Sequence, residues 1–361
     1  MFRLMFTVFF LALYCDCKIL NPVILVPGDG GSQIEAKLNK TTANPFCYFH
    51  TEGYYNLWVN QEELFPHTIT CFTDNMSNSP GVQTKIPGWG DTKTVEWLDP
   101  EHVADILTDG WKSTSYFSSI VNAMVEWGYE RNVSVRGAPY DFRKAARNVC
   151  SKQQYKSSIA RPQHGEPYHI VLPKPPATVM ENKFIQSFIT LAGVWGGSVK
   201  PLILLATGDN MDIPWLWPSQ VRQQQRSMPS IAWLMPSDKF WEKDEILVER
   251  PGRNYTVNDY EQFFKDINFT DGWYMRQDTA NLVRSLIPPG VEVHCLHGYG
   301  VPTPGKLVYK GHMWPDIKPN VTMDGGDGTV NIRSLQGCLL WQDLSQTYFL
   351  KFIWQWQFDL Y

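Results

Sequence analysis

Pro22-Val23-Ile24-Leu25-Val26-Pro27-Gly28-Asp29-Gly30-Gly31 decides the fold. An unbroken apolar run that halts on glycines has the pattern of a buried strand entering a turn with exposed backbone. A buried strand this early in the chain marks the start of an α/β sheet domain.

Working outward, residues 116–129 place Phe117, Ile120, Val121, Met124, Val125 and Trp127 at helical spacing, and Gly128 is a stop signal. His169 to Leu172 and Phe184 to Ala192 read as short strands on either side of a proline-rich piece. This alternation predicts a mostly parallel sheet covered on both faces. From Pro201 to Pro289 the pattern turns helical and aromatic, with Tyr260, Phe263, Phe264 and Ile267 on one helix face. The expected organisation is a core over 18–200, an inserted cap over 201–289, the core resumed over 290–343 and an atypical tail over 344–361.

At 361 residues and 43% hydrophobic content, the chain can bury a large core. A net charge of -4 without a Lys/Arg run argues against nucleic acid as a partner. Fifteen Trp favour lipid or carbohydrate substrates, because indole suits surfaces that are half apolar and half wet. Met1-Phe2-Arg3 and the apolar run Leu4 to Tyr14 predict a signal peptide over 1–17, too short to span a bilayer. Six sequons, at Asn39, Asn75, Asn132, Asn254, Asn268 and Asn320, agree with passage through the secretory pathway. Of seven Cys, five remain beyond the cleavage region, so an oxidising compartment predicts two pairs and one orphan.

The Gly28 to Gly31 turn lacks the spacing of a phosphate cradle. It reads either as an ordinary glycine turn or as an oxyanion hole, in which backbone N–H groups meet a developing negative charge. Gly326-Asp327-Gly328-Thr329-Val330-Asn331 places an acid after a late strand, either as the acid of a catalytic triad or as a capping acidic loop. His294, Cys295 and His297 invite a metal reading, but their alternation along a strand argues against it, and no metal or other cofactor is expected.

Together these pieces resemble the lecithin:cholesterol acyltransferase family, and within it the lysosomal phospholipase A2 branch. The resemblance rests on Val26-Pro27-Gly28-Asp29, Glu35-Ala36-Lys37-Leu38 and Arg136-Gly137-Ala138-Pro139-Tyr140-Asp141-Phe142-Arg143. It continues through Trp195-Gly196-Gly197, Gly272-Trp273-Tyr274-Met275-Arg276-Gln277-Asp278-Thr279, Gly300-Val301-Pro302-Thr303-Pro304 and Asp327-Gly328-Thr329-Val330. It implies an α/β-hydrolase core, with Gly30 and Asp29 at the oxyanion hole, Asp327 as triad acid, and Cys47–Cys71 and Cys295–Cys338 as disulfides. Residues 47–71 would be a disulfide-closed membrane-binding loop containing Trp58, although a small satellite core fits the same aromatics. Residues 208–226, with Trp215 and Trp217, would be a mobile lid. The implied reaction is phospholipase A and O-acyltransferase chemistry through an acyl-enzyme. Its partners would be phospholipid membranes and lipid acyl acceptors, with no obligate protein partner, in the lysosome or outside the cell.

Two elements depart from that pattern. The family carries its nucleophile in an Ala-His-Ser-x-Gly elbow between the Pro-Tyr-Asp and Trp-Gly-Gly motifs. Here the incoming strand His169-Ile170-Val171-Leu172 meets Pro173-Lys174-Pro175-Pro176, and prolines oppose the helix an elbow requires. The chain contains no Gly-x-Ser-x-Gly, and Ser187 and Ser198 lack the elbow context. Cys150, the expected orphan, has no surroundings that would activate a thiol. No histidine follows Asp327, the last being His312. Leu350, Phe352, Trp354, Trp356, Phe358 and Leu360 instead alternate with polar residues, the period of a half-buried strand. The serine and the histidine of the triad are therefore both absent, and the chain is expected to be inactive as written. The alternative readings are a non-catalytic lipid-surface binding isoform and a defective gene model.

Overall fold

The computed structural model describes residues 20–41, 45–77, 79–100, 114–145, 185–211, 213–284, 286–341 and 348–352. The expected signal peptide, the 169–172 strand with Pro173 to Pro176, Cys150 and the tail beyond Phe352 lie outside these residues.

The strands are β1 (Val23–Leu25), β2 (Ile34–Leu38), β3 (Tyr55–Trp58), β4 (Val82–Lys85), β5 (Val135–Gly137), β6 (Ser187–Leu191), β7 (Val248–Arg250), β8 (Arg253–Tyr255), β9 (Glu292–His297), β10 (Val301–Val308), β11 (Asn320–Gly326) and β12 (Tyr348–Phe352). The helices are α1 (Ile69–Met76), α2 (Lys93–Glu96), α3 (Ser118–Glu126), α4 (Lys200–Ala206), α5 (Pro218–Arg226), α6 (Pro229–Trp233), α7 (Tyr260–Asp266), α8 (Thr270–Arg284) and α9 (Ile332–Leu335).

The expectation of one mostly parallel sheet is met only in part. β1 pairs in parallel with β5, and β9 lies between β6 and β12 with all three parallel. The other pairings form two more sheets, a β3-β2-β4 antiparallel sheet and a mixed β11-β10-β7-β8 sheet. The reason is local. β2 alternates buried and half-buried residues, the period of a strand with one covered face, and such strands pair through short antiparallel connections. Of the alternating tail, only Leu350 to Phe352 fall among the described residues, and they lie in β12, with Tyr348 opposite Val293 and Phe352 opposite His297.

The helical expectation for 116–129 resolves into α3, which ends before Gly128 at φ +98°. The cap-region face is deeply buried: Tyr260, Phe263, Phe264 and Ile267 are each 4% exposed or less. A side chain of this size, fully buried, contributes about 1.5–3 kcal/mol of transfer free energy, so this stripe fixes α7 against the main core. β6 is the contrast, exposing Phe188, Ile189 and Leu191 on a strand whose only partner among the described residues is β9. No helix among the described residues is long and apolar enough to cross a membrane.

Candidate active site

Parallel pairing of β1 with β5 brings their carboxyl ends together, so the Gly28 to Gly31 turn and the Ala138 to Arg143 segment leave the same edge. Gly30 sits at φ +78°, a conformation that only glycine adopts without strain. Two aromatic side chains clamp the turn. The Gly28 N–H donates to the Tyr116 hydroxyl at 3.0 Å, and Trp58 Nε1 donates to the Gly30 carbonyl at 2.7 Å. A Cβ on Gly31 would lie 2.6 Å from the Tyr116 ring, which makes glycine obligatory there. The Tyr140 N–H donates to the buried Ser32 hydroxyl at 3.0 Å and ties the two strand exits.

Beneath them, Arg143 is 1% exposed and grips Asp141 through Nε at 2.8 Å and a terminal nitrogen at 2.9 Å. Its remaining donors reach the Met76 carbonyl and Thr84 Oγ1. Burial pushes the Asp141 carboxyl up, but Arg143 and Lys144 outweigh it and hold the group below its usual range. The Pro-Tyr-Asp-Phe-Arg motif is thus a buried charge pair that props up the strand exit.

Asp29 is solvent-exposed by surface area, yet protein crowds around it closely, and this crowding raises its carboxyl to about 7. Ser230 on α6 partly opposes the rise. The Ser230 hydroxyl is buried and makes no hydrogen bond of good geometry, so its pull on Asp29 acts through a loose contact. Near neutral pH, Asp29 therefore divides between carboxylate and carboxylic acid, and the acid carries an O–H donor beside the Gly30 turn.

Asp327 lies where β11 ends. Its Oδ1 accepts the N–H groups of Thr329 at 3.0 Å and Val330 at 2.7 Å, which fixes the carboxylate over the loop. This local bonding is what the capping reading predicted, and among the described residues no hydrogen bond engages Oδ2. Ser198 is 3% exposed and hydrogen-bonds the Thr329 carbonyl, and Ser187 lies within β6, so neither is a presented nucleophile.

A relay of contacts through α6 connects the Gly30 turn with the Asp327 loop. Ser230 at the start of that helix faces Asp29, whereas the Leu234 carbonyl just past its end accepts the Ser198 N–H at 2.9 Å. Ser198 in turn holds Thr329, two residues beyond Asp327.

Both expected disulfides are present, Cys47–Cys71 and Cys295–Cys338. Oxidation of Cys295 removes its thiolate from any metal shared with His294 and His297. The loop closed by Cys47 and Cys71 divides its aromatics. Tyr48, Phe49 and Phe65, like Phe46 just before the bridge, are more than half exposed, whereas Trp58 packs on Phe72 and Phe142 beside the buried Leu57 and Leu64. Trp215 stacks on Phe65 at 5.8 Å and donates to the Leu64 carbonyl at 3.2 Å, while Trp217 is 72% exposed. Segment 208–226 is tied down at its far end, where buried Arg226 donates to the carbonyls of Leu205 and Ile267.

One of the six sequon asparagines is buried. Asn75 is 2% exposed, its Nδ2 donates to the Tyr55 hydroxyl at 2.9 Å, and its Oδ1 accepts Lys40 Nζ at 2.6 Å. A glycan on that amide has no room in the folded chain. Asn39, Asn132, Asn254, Asn268 and Asn320 are exposed. Sequence reasoning missed the clamp by Trp58 and Tyr116 and the bridge through α6, because contacts of such long separation leave no local pattern.

The parallel β1–β5 pair and the parallel β6-β9-β12 sheet, with helices between the strands, define an α/β protein. The Lecithin:cholesterol acyltransferase family model matches residues 54–172 and 171–352, and the chain belongs to that family. The "Lysosomal phospholipase A and acyltransferase" of Canis lupus familiaris is 41% identical over 365 residues, spanning 92% of this chain and 86% of the relative. The Homo sapiens protein of the same name is 40% identical over 349 residues, 89% of this chain and 82% of the relative. The "Phosphatidylcholine-sterol acyltransferase" of Homo sapiens is 36% identical over 351 residues, 89% of this chain and 77% of the relative.

Proposed function

We propose that this chain is built on the scaffold of a lipid O-acyltransferase and phospholipase A acting on glycerophospholipids, and that the polypeptide itself does not turn over esters. The family supports the first half. The observation that carries the second is the absence of an elbow serine between Asp141 and Trp195, where the family carries its nucleophile. The break in the family match at 171–172 agrees with it, because it falls where Leu172 runs into Pro173.

In the family reaction, a serine attacks a phospholipid ester and forms an acyl-enzyme, which passes its acyl group to water or a lipid hydroxyl. The roles open to this chain's residues are partial. Gly30 N–H and protonated Asp29 would stabilise the oxyanion, and Asp327 would orient a histidine. Without nucleophile and base, only binding and oxyanion contributions remain, and these retain a small fraction of the rate. Residues 201–289 would form the cap and 208–226 the lid, in a protein routed through the secretory pathway to the lysosome or the exterior.

A second reading, lipid-surface binding without catalysis, is favoured by the exposed Phe46, Tyr48, Phe49, Phe65 and Trp217. One experiment separates the two. The purified chain is incubated with phosphatidylcholine vesicles, and both fatty acid release and co-sedimentation are followed. Sedimentation without release fits both halves of the account. Release at a rate typical of enzymes would refute inactivity, and failure to sediment with zwitterionic or anionic vesicles would remove the surface-binding reading.

A further inference from the structure

Under the disulfide-closed loop lies a polar cluster that none of the roles above uses. Glu63 sits in the 3₁₀ turn Glu62–Leu64, with Oε2 fully buried and no hydrogen bond to it. Tyr55 from β3 and Asn75 from α1 bond its carboxyl, and Asn75 also bonds the Tyr55 hydroxyl. The only charge that acts on Glu63 from this cluster is the Lys40 ammonium, itself 3% exposed. Lys40 is already committed, to Asp74 and to Asn75 Oδ1. An ionised Glu63 would therefore be a buried anion with one bare oxygen and a shared countercharge, an arrangement that favours either the neutral acid or withdrawal into water.

The element that would move is a short turn at the surface. The next residues hold the loop to the 213–217 segment: the Leu64 carbonyl accepts Trp215 Nε1, and Phe65 stacks on Trp215. Leu64 is buried while Phe65 stays half exposed even where it stacks on Trp215, so the turn is a shallow plug held by few apolar contacts.

We propose that Glu63 is an acid-closed latch: as the neutral acid it docks the 62–65 turn against Tyr55, Asn75 and Trp215, and as the carboxylate it releases that turn. Burial, the largest influence, raises the Glu63 carboxyl to about 7, and the bonds from Tyr55 and Asn75 and the charge of Lys40 only partly offset it. The sign follows from linkage. A docked value above the free value means docking is favoured in full below the ordinary glutamate range and is lost as pH rises through the docked value.

The test is amide hydrogen exchange of the intact chain, read over residues 60–68 at pH 5.5 and pH 8 and corrected for the intrinsic pH dependence of exchange. Protection is expected to fall about tenfold or more between the two pH values. The Glu63→Gln variant, permanently neutral, is expected to stay protected at both. Equal protection of the unmodified chain at the two pH values would overturn the proposal, whatever the variant does. A variant that loses protection in parallel with the parent, or is already open at pH 5.5, would overturn it as well. The readout involves neither lipid nor ester, so its failure is distinct from failure of the functional reading.

Discussion

Trp58 Nε1 donates a 2.7 Å hydrogen bond to the carbonyl of Gly30, which ties the middle of the disulfide-closed loop to the turn proposed as an oxyanion hole. Replacing Trp58 by Phe keeps an aromatic ring against Phe72 and Phe142 but leaves that carbonyl without its donor. The expected cost is about 1–2 kcal/mol, read as a lower midpoint of urea unfolding. An unchanged midpoint would mean that water replaces the indole without penalty.

The buried Asp141–Arg143 pair is expected to be far more sensitive. Asp141→Ala leaves the Arg143 guanidinium, 1% exposed, without its counter-ion. Breaking such a pair costs about 3–5 kcal/mol, enough to prevent secretion of many domains. The depressed Asp141 carboxyl contributes stability above its ordinary value, which is lost as pH falls through the lower folded value. Acid unfolding of the parent therefore includes a step that Asp141→Asn lacks.

Asp29 has the opposite sign. Desolvation raises its carboxyl to about 7, so its contribution favours the fold below the ordinary carboxylate range and fades as pH climbs through about 7. A carbon-13 carboxyl titration is expected to show one aspartate with a midpoint near 7 that disappears in Asp29→Asn. All aspartate midpoints falling near their usual values would contradict this.

Opening the Cys47–Cys71 bridge by a double Cys→Ala exchange is expected to cost about 3 kcal/mol on the loop-entropy account. The bridge closes a separation of 24 residues. The check is calorimetric, with residues 45–77 expected to become protease-sensitive first.

The parts legible in the sequence were those with a local period or a local breaker. The stop at Gly128 and the buried stripe Tyr260, Phe263, Phe264 and Ile267 appear in the fold as read, whereas the apolar run into Gly28 forms a strand that is not buried, with Val23 to Leu25 half-buried and Val26 54% exposed. The antiparallel sheet around β2 was not legible, because which strands pair depends on contacts outside any one segment. The same holds for Asn75. Its sequon is a three-residue pattern, while its burial depends on Lys40 and Tyr55, far along the chain. The site was half legible: the Asp29 turn and Asp327 stand out as motifs, but the side chains that hold the turn and bridge the halves, Tyr116, Trp58, Ser230 and Ser198, do not.

The claim that this chain keeps the acyl-transfer scaffold without its nucleophile is tested most directly by intact mass measurement after exposure to a fluorophosphonate probe. A serine hydrolase treated in parallel should gain one probe mass. The account predicts no such gain for this chain, folded and at full occupancy of its two disulfides. A stoichiometric gain of one probe per chain, mapped to a single serine, would contradict it.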